Sequence, residues 1–228
     1  MGGKVQDVTM PDYGLSLAQA QFPTAAPPLN ASTGDTLSQD FKTSNIDLSN
    51  SAVGGAKAGY FFTKEGLPWL GVEVDIFTTK PDIKSQTLTT TQDIVFTPRD
   101  TSGCPIIPNQ CPQGINGRKG TLTLQQSSLR VTAFTANLIA RYPGKFLQPY
   151  VGIGGGGFYF NASGQIEGQQ FAPGFNAQFG LKALVAPEWG LFVEGKYNLA
   201  NISSLDPTFG LSGMYSIFHV VAGVAYHF

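Results

Sequence analysis

Apolar residues recur at every second position through most of this chain, the period that sends successive side chains to opposite faces of a β-strand. The carboxyl end shows it most plainly. Phe218, Val220, Ala222, Val224, Tyr226 and Phe228 hold one parity; His219, Val221, Gly223, Ala225 and His227 hold the other. The same reading predicts a weak first strand over 3–10, clear strands over 52–62, 69–79, 128–142, 147–160, 175–186 and 189–200, and a closing strand over 212–228. Lys64–Pro68, Tyr142–Lys145 and Pro187–Glu188 read as tight turns. Longer polar connections cover about 11–49, about 80–126, 161–170 and 201–211; within the second, Thr87–Gln92, Thr97–Cys111 and Gly120–Gln126 suit a mobile loop, protein or glycan contact, or a β-hairpin extending the barrel above the membrane.

The connections between these eight strands alternate long and short, and both chain ends fall on the short-turn side. The predicted fold is all-β: one domain over 1–228, an eight-stranded antiparallel up-and-down transmembrane β-barrel with short periplasmic turns and long extracellular loops. A two-sheet sandwich gives no reason to sort connection lengths by side. Hydrocarbon offers the backbone no hydrogen bonds, so a spanning sheet closes on itself. Eight strands enclose an interior just wide enough for side chains to fill. No run approaches the ~20 apolar residues of a membrane helix.

The parity of the charges supports this expectation. Lys57, Glu73, Asp75, Arg141, Lys182, Glu194 and Lys196 all fall on the face opposite the apolar one, with His219 nearby. A lipid-facing charge near mid-membrane costs ~2–4 kcal/mol. Buried charges persist when paired, so the lumen is expected to be plugged by Lys57 with Glu73 or Asp75, and by Glu194 with Lys182 or Lys196. Aromatics at strand ends, Tyr142, Trp189, Tyr226 and Phe228, predict a periplasmic girdle. Tyr60 and Phe62 add to it, while parity turns Trp69 inward.

Composition removes other classes. Only 13% of the 228 residues are charged and the net charge is −1, so no nucleic-acid footprint is present. Twenty-eight Gly and seventeen Phe against three Met suit strands with small inward and aromatic outward residues. Cys104 and Cys111 bracket a Pro-rich hexapeptide with no further Cys or nearby His to complete a zinc site. A local disulfide pinning an exposed loop is expected, in an oxidising compartment. The first residues carry no apolar leader, so export implies that a signal peptide has been removed.

Three stretches carry a family likeness: the alternating strand ending in Phe228, Pro149-Tyr-Val-Gly-Ile-Gly154, and Leu191-Phe-Val-Glu-Gly-Lys-Tyr197. From about Ala52 to Phe228 the chain resembles the OmpA/OmpX-type small outer-membrane barrel domain. The resemblance implies location in a bacterial outer membrane, contact with lipid and lipopolysaccharide, and insertion by the barrel assembly machinery through the terminal strand. It also implies anchoring, surface-loop binding of a protein or glycan, or weak pore activity. The expected function is non-enzymatic: display of surface loops for envelope integrity, adhesion or partner binding. A small pore or conduit for apolar solutes is the alternative, with Arg141, Glu73 and Glu194 setting selectivity.

Sharper chemical readings carry less weight. Gly152-Ile-Gly-Gly-Gly-Gly157 fits a dinucleotide spacing, but Phe158-Tyr-Phe160 continues the strand where a helix is required. A lipid A-modifying enzyme needs a Ser–His–acid group; Ser216, His219 and Asp206 lie close in sequence, yet Ser216 and His219 have opposite parity. No cofactor or metal is expected.

Overall fold

A computed structural model describes residues 3–21, 36–98, 102, 104, 106 and 111–226. It contains one helix, α1 (Pro11–Gln21), and twelve strands: β1 (Lys4–Thr9), β2 (Thr36–Thr43), β3 (Ile46–Asp47), β4 (Val53–Phe61), β5 (Leu70–Thr79) and β6 (Gln86–Thr97), then β7 (Gln113–Leu124), β8 (Ser128–Arg141), β9 (Leu147–Ser163), β10 (Gly168–Leu184), β11 (Trp189–Ile202) and β12 (Ser212–Tyr226). They form one antiparallel sheet in the order β4-β5-β8-β9-β10-β11-β12-β1-β2-β6-β7, with β3 pairing β1. Among the described residues the ladder does not close: β4 and β7 are its two ends. All-β and antiparallel therefore hold, whereas the count of eight strands and the closed ladder do not.

The additional elements lie where polar composition suggested loops. The 11–49 stretch holds α1, β2 and β3; the 80–126 stretch holds the β6–β7 hairpin. Pro11 at the first helical position is preset in φ and lacks only an N–H that has no intrahelical partner there. Tyr13 seats α1 on the sheet, its ring 5.5 Å from both Phe41 and Phe209. In β6 the inward row is Leu88, Thr90, Gln92, Ile94 and Phe96, all buried. Gln92 Nε2 donates to the Gly14 carbonyl at 2.7 Å, which satisfies a buried amide beside the helix.

The apolar core sits at the end of the sheet that carries these additions. Val5, Phe41, Ile46, Leu48, Ile83, Leu124, Val131, Phe158, Phe160 and Tyr215 belong to one buried cluster. Asp206, itself buried, accepts from the backbone amides of Glu167 (2.6 Å), Thr208 (2.6 Å) and Phe209 (2.9 Å), and so ties the β11–β12 connection to the β9–β10 turn. Cys104 and Cys111 form a disulfide with Cα atoms 5.0 Å apart, in the connection between β6 and β7. At the opposite end, short turns join β4 to β5, β8 to β9 and β10 to β11. Phe228 and His227 lie outside the described residues.

Candidate functional site

Over β4, β5 and β8–β12 the usual polarity of a protein is reversed. One face of this stretch exposes Val72, Val74, Ile76, Phe134, Leu138, Val151, Ile153, Phe175, Phe179, Leu191, Val193, Val220 and Val224. The opposite face buries Asp75, Asn137, Asn176, Gln178, Glu194, Lys196, Asn198 and His219. No charged residue interrupts the exposed apolar face between the short turns and the level of Thr132 and Tyr159. From Leu147 to Gly157 on β9 this band spans about 25 Å at the usual strand rise and a tilt of about 40°.

The buried polar groups come from strands far apart in the sheet path. Lys57 Nζ on β4 lies 2.6 Å from Glu194 Oε2 on β11 and 3.3 Å from Glu73 Oε2 on β5. Lys196 on β11 pairs with Asp75 on β5 and lies 3.5 Å from Glu194 Oε1. Tyr150 donates its hydroxyl to Glu194 Oε2 at 2.7 Å, and Gln178 Nε2 donates to Glu73 Oε1 at 2.7 Å. Such contacts require the sheet to be rolled, bringing β4 and β5 across an interior from β10 and β11. Two cations and three carboxylates thus share one low-dielectric cluster, where pairing offsets desolvation.

Toward the short turns the interior opens into a cavity of about 370 Å³ lined by Lys57, Phe61, Arg141, Tyr150, Lys182 and Phe192 among others. The Arg141 guanidinium stacks 3.6 Å from the Phe61 ring centroid. Its Nε donates to the Pro68 carbonyl at 3.1 Å and its Nη1 to Gln148 Oε1 at 3.3 Å. In the other direction the polar cluster meets His219, whose ring lies 6.0 Å from that of Phe77, and then the apolar core around Phe158 and Phe160.

The predicted charges therefore share one interior, with two corrections. Among the described residues Lys182 joins none of the ion pairs; its ammonium sits 5.6 Å from the Phe61 ring, and Glu194 is shared by Lys57 and Lys196. Trp69 is half-exposed rather than inward, because β5 begins one residue later and the strand parity does not reach it. Tyr60, Tyr142, Trp189 and Tyr226 are also exposed near the short turns, with the Trp189 and Tyr226 rings 5.1 Å apart. Sequence reasoning passed over Tyr150, Gln178 and Gln148, uncharged residues on the inward parity. Gly152, Gly154 and Gly156 share their row on β9, and the Asn137 side chain and the Phe134 carbonyl approach the last two too closely for any larger residue. Ser216, His219 and Asp206 form no catalytic group: the Ser216 hydroxyl contacts the Lys4 carbonyl at 3.5 Å, while Asp206 binds loop amides. Among the described residues, no cluster of three His, Cys, Asp or Glu is arranged to hold a metal.

These features define a class: a rolled antiparallel sheet, apolar outside and charged within. No protein-family model and no curated protein matches the sequence.

Proposed function

We propose that this protein is a non-enzymatic outer-membrane β-barrel, an anchor of the OmpA/OmpX type that carries a folded extension on the outer surface. In this reading β4, β5 and β8–β12 are spanning strands, while β1, which meets β12 over Ser212–Ser216 and carries the exposed Lys4, lies toward the extension. The extension comprises α1, β2, β3 and the β6–β7 hairpin. The observation that carries the reading is the polarity reversal: over β4, β5 and β8–β12 an exposed apolar band about 25 Å tall backs a charged interior, which water would not tolerate and lipid requires. Aromatics at the short-turn end fit the headgroup level on the periplasmic side. The extension and its Cys104–Cys111 tip are the surface for a protein or glycan partner, since loops held on a rigid wall commonly bind.

The pore is the second reading, favoured by the cavity beside Arg141 and Lys182. The ion pairs of Lys57, Asp75, Glu194 and Lys196, with Phe77 and Phe158 beyond them, speak for a plug. A planar-bilayer recording decides, with insertion verified by quenching of Trp69 and Trp189 by brominated acyl chains. Quenching without conductance steps is expected. Quenching with stable steps that change in Glu73→Gln or Arg141→Gln replaces the anchor by a pore; no quenching contradicts the membrane reading.

A further inference from the structure

We propose that the cavity at the short-turn end binds a small aromatic monocarboxylate, held by Arg141 and Lys182. The membrane reading above sets only the compartment it opens to; the site itself rests on the interior. Among the described residues that interior holds four cations, Lys57, Arg141, Lys182 and Lys196, against three carboxylates, Glu73, Asp75 and Glu194. Each carboxylate is engaged by Lys57 or Lys196. Glu73, which also lines the cavity, is held by Lys57 and by Gln178. The excess positive charge therefore lies at Arg141 and Lys182, half-buried residues that join no ion pair among those described. A charge withdrawn from bulk water is stabilised by a counter-ion. The cavity of about 370 Å³ beside them has room for one with an organic body.

The donors suit a carboxylate. Arg141 is fixed by its stack on Phe61, its Nε bond to the Pro68 carbonyl and its Nη1 bond to Gln148. Gln148 is anchored in turn, its Nε2 donating to the Gly144 carbonyl at 2.9 Å. The Arg141 Nη2 makes no bond among the described residues, which leaves one edge of a held guanidinium for a ligand. Lys182 borders the same Phe61 ring, 5.6 Å from its centroid, with its donors uncommitted. A fixed guanidinium and a nearby ammonium are the usual partners of a carboxylate. Glu73 faces the same space and opposes a second negative charge on the ligand. The remaining wall is apolar, with Phe61, Tyr150 and Phe192 contributed by three different strands and Ile139 by a fourth. Rings on several sides suit a flat aromatic body. The ion-pair cluster closes the inner end, so the ligand enters and leaves from the short-turn side.

The test titrates naphthoate and its uncharged isostere naphthamide into the full chain in maltoside micelles, by isothermal calorimetry. Naphthoate is expected to bind at one site, about tenfold or more tighter than the amide, the worth of one charge-assisted hydrogen bond. Lys182→Met is expected to weaken naphthoate by about tenfold or more and to leave the amide unchanged, whereas Lys182→Arg retains the binding. Arg141→Gln is expected to act as Lys182→Met does. Where it also lowers the thermal transition, Lys182→Met carries the result, because Lys182 makes no side-chain hydrogen bond among the described residues. No binding by the unaltered protein, equal binding of acid and amide, or full affinity in Lys182→Met each overturns the site. Displacement of naphthoate by an equal concentration of phosphatidylglycerol overturns the carboxylate in favour of a lipid phosphate. Quenching of Trp69 and Trp189 by brominated lipid, read on the same protein in vesicles, keeps the two readings apart. Quenching without binding overturns the site alone; binding without quenching overturns the membrane reading alone.

Discussion

Glu194 is the residue on which the interior turns. It accepts from Lys57 and Tyr150 and lies beside Lys196, while being almost wholly buried itself. A buried pair adds little net stability compared with an apolar replacement, but removing one partner strands the other charge. Lys196→Met is therefore expected to destabilise the protein by about 3–5 kcal/mol, because Asp75 loses its cation. Adding Asp75→Leu is expected to recover most of that loss. Urea unfolding of the reconstituted proteins measures both; a double variant no more stable than the single one contradicts the cluster as drawn.

Residue parity was legible in the sequence because β4, β5 and β8–β12 each keep strict alternation there: charges at 57, 73, 75, 141, 182, 194 and 196 all fall on the face opposite the apolar one. The partner of each charge was only half legible. Lys57 and Glu73 lie on adjacent strands, whereas Lys196 with Asp75 crosses the interior, a contact that strand order alone does not reveal.

At the level of elements, the band edge gives a graded expectation. Ile153 lies within the exposed apolar band of β9, and Asn161 lies on the same face beyond Tyr159. Ile153→Arg is expected to cost about 2–4 kcal/mol, and Asn161→Arg about 0–1 kcal/mol, in folding stability measured in vesicles. Equal costs would remove the boundary at Tyr159. Six of the seven strongest strands were read within three residues of their ends, since the alternation repeats from one to the next, whereas β10 begins at Gly168, seven residues before the reading, inside the stretch read as a loop. β2 was not read, and β6 and β7 were read only as one alternative, a hairpin above the barrel; the reason is local. The buried row of β6 includes Thr90 and Gln92, the latter donating to the Gly14 carbonyl, so the apolar period breaks up along the sequence. In α1, Gly14 sits mid-helix where propensity disfavours it, because Gln39 and Phe41 press against that position. The Pro11-Asp12 start was the signal available for it.

For the whole molecule, the polarity-reversed wall of β4, β5 and β8–β12 and a folded cap share one sheet. The apolar core lies toward the cap, where Phe160 and Tyr215 pack at 5.1 Å, while the charged interior lies toward the short turns. Hydrophobic burial thus holds one end, and ion pairs the other. The alternation of long and short connections was legible, and the long ones proved to carry structure of their own.

The central claim is that the exposed band faces lipid. A nitroxide scan along β9 from Leu147 to Tyr159, in reconstituted vesicles, tests it most directly by comparing collision with oxygen, which concentrates in hydrocarbon, and with a water-soluble nickel chelate. The account predicts a period of two, with positions 151, 153, 155 and 157 open to oxygen and closed to nickel, and positions 150, 152, 154 and 156 shielded from both. High nickel accessibility at Val151 and Ile153, or no period of two, would contradict it.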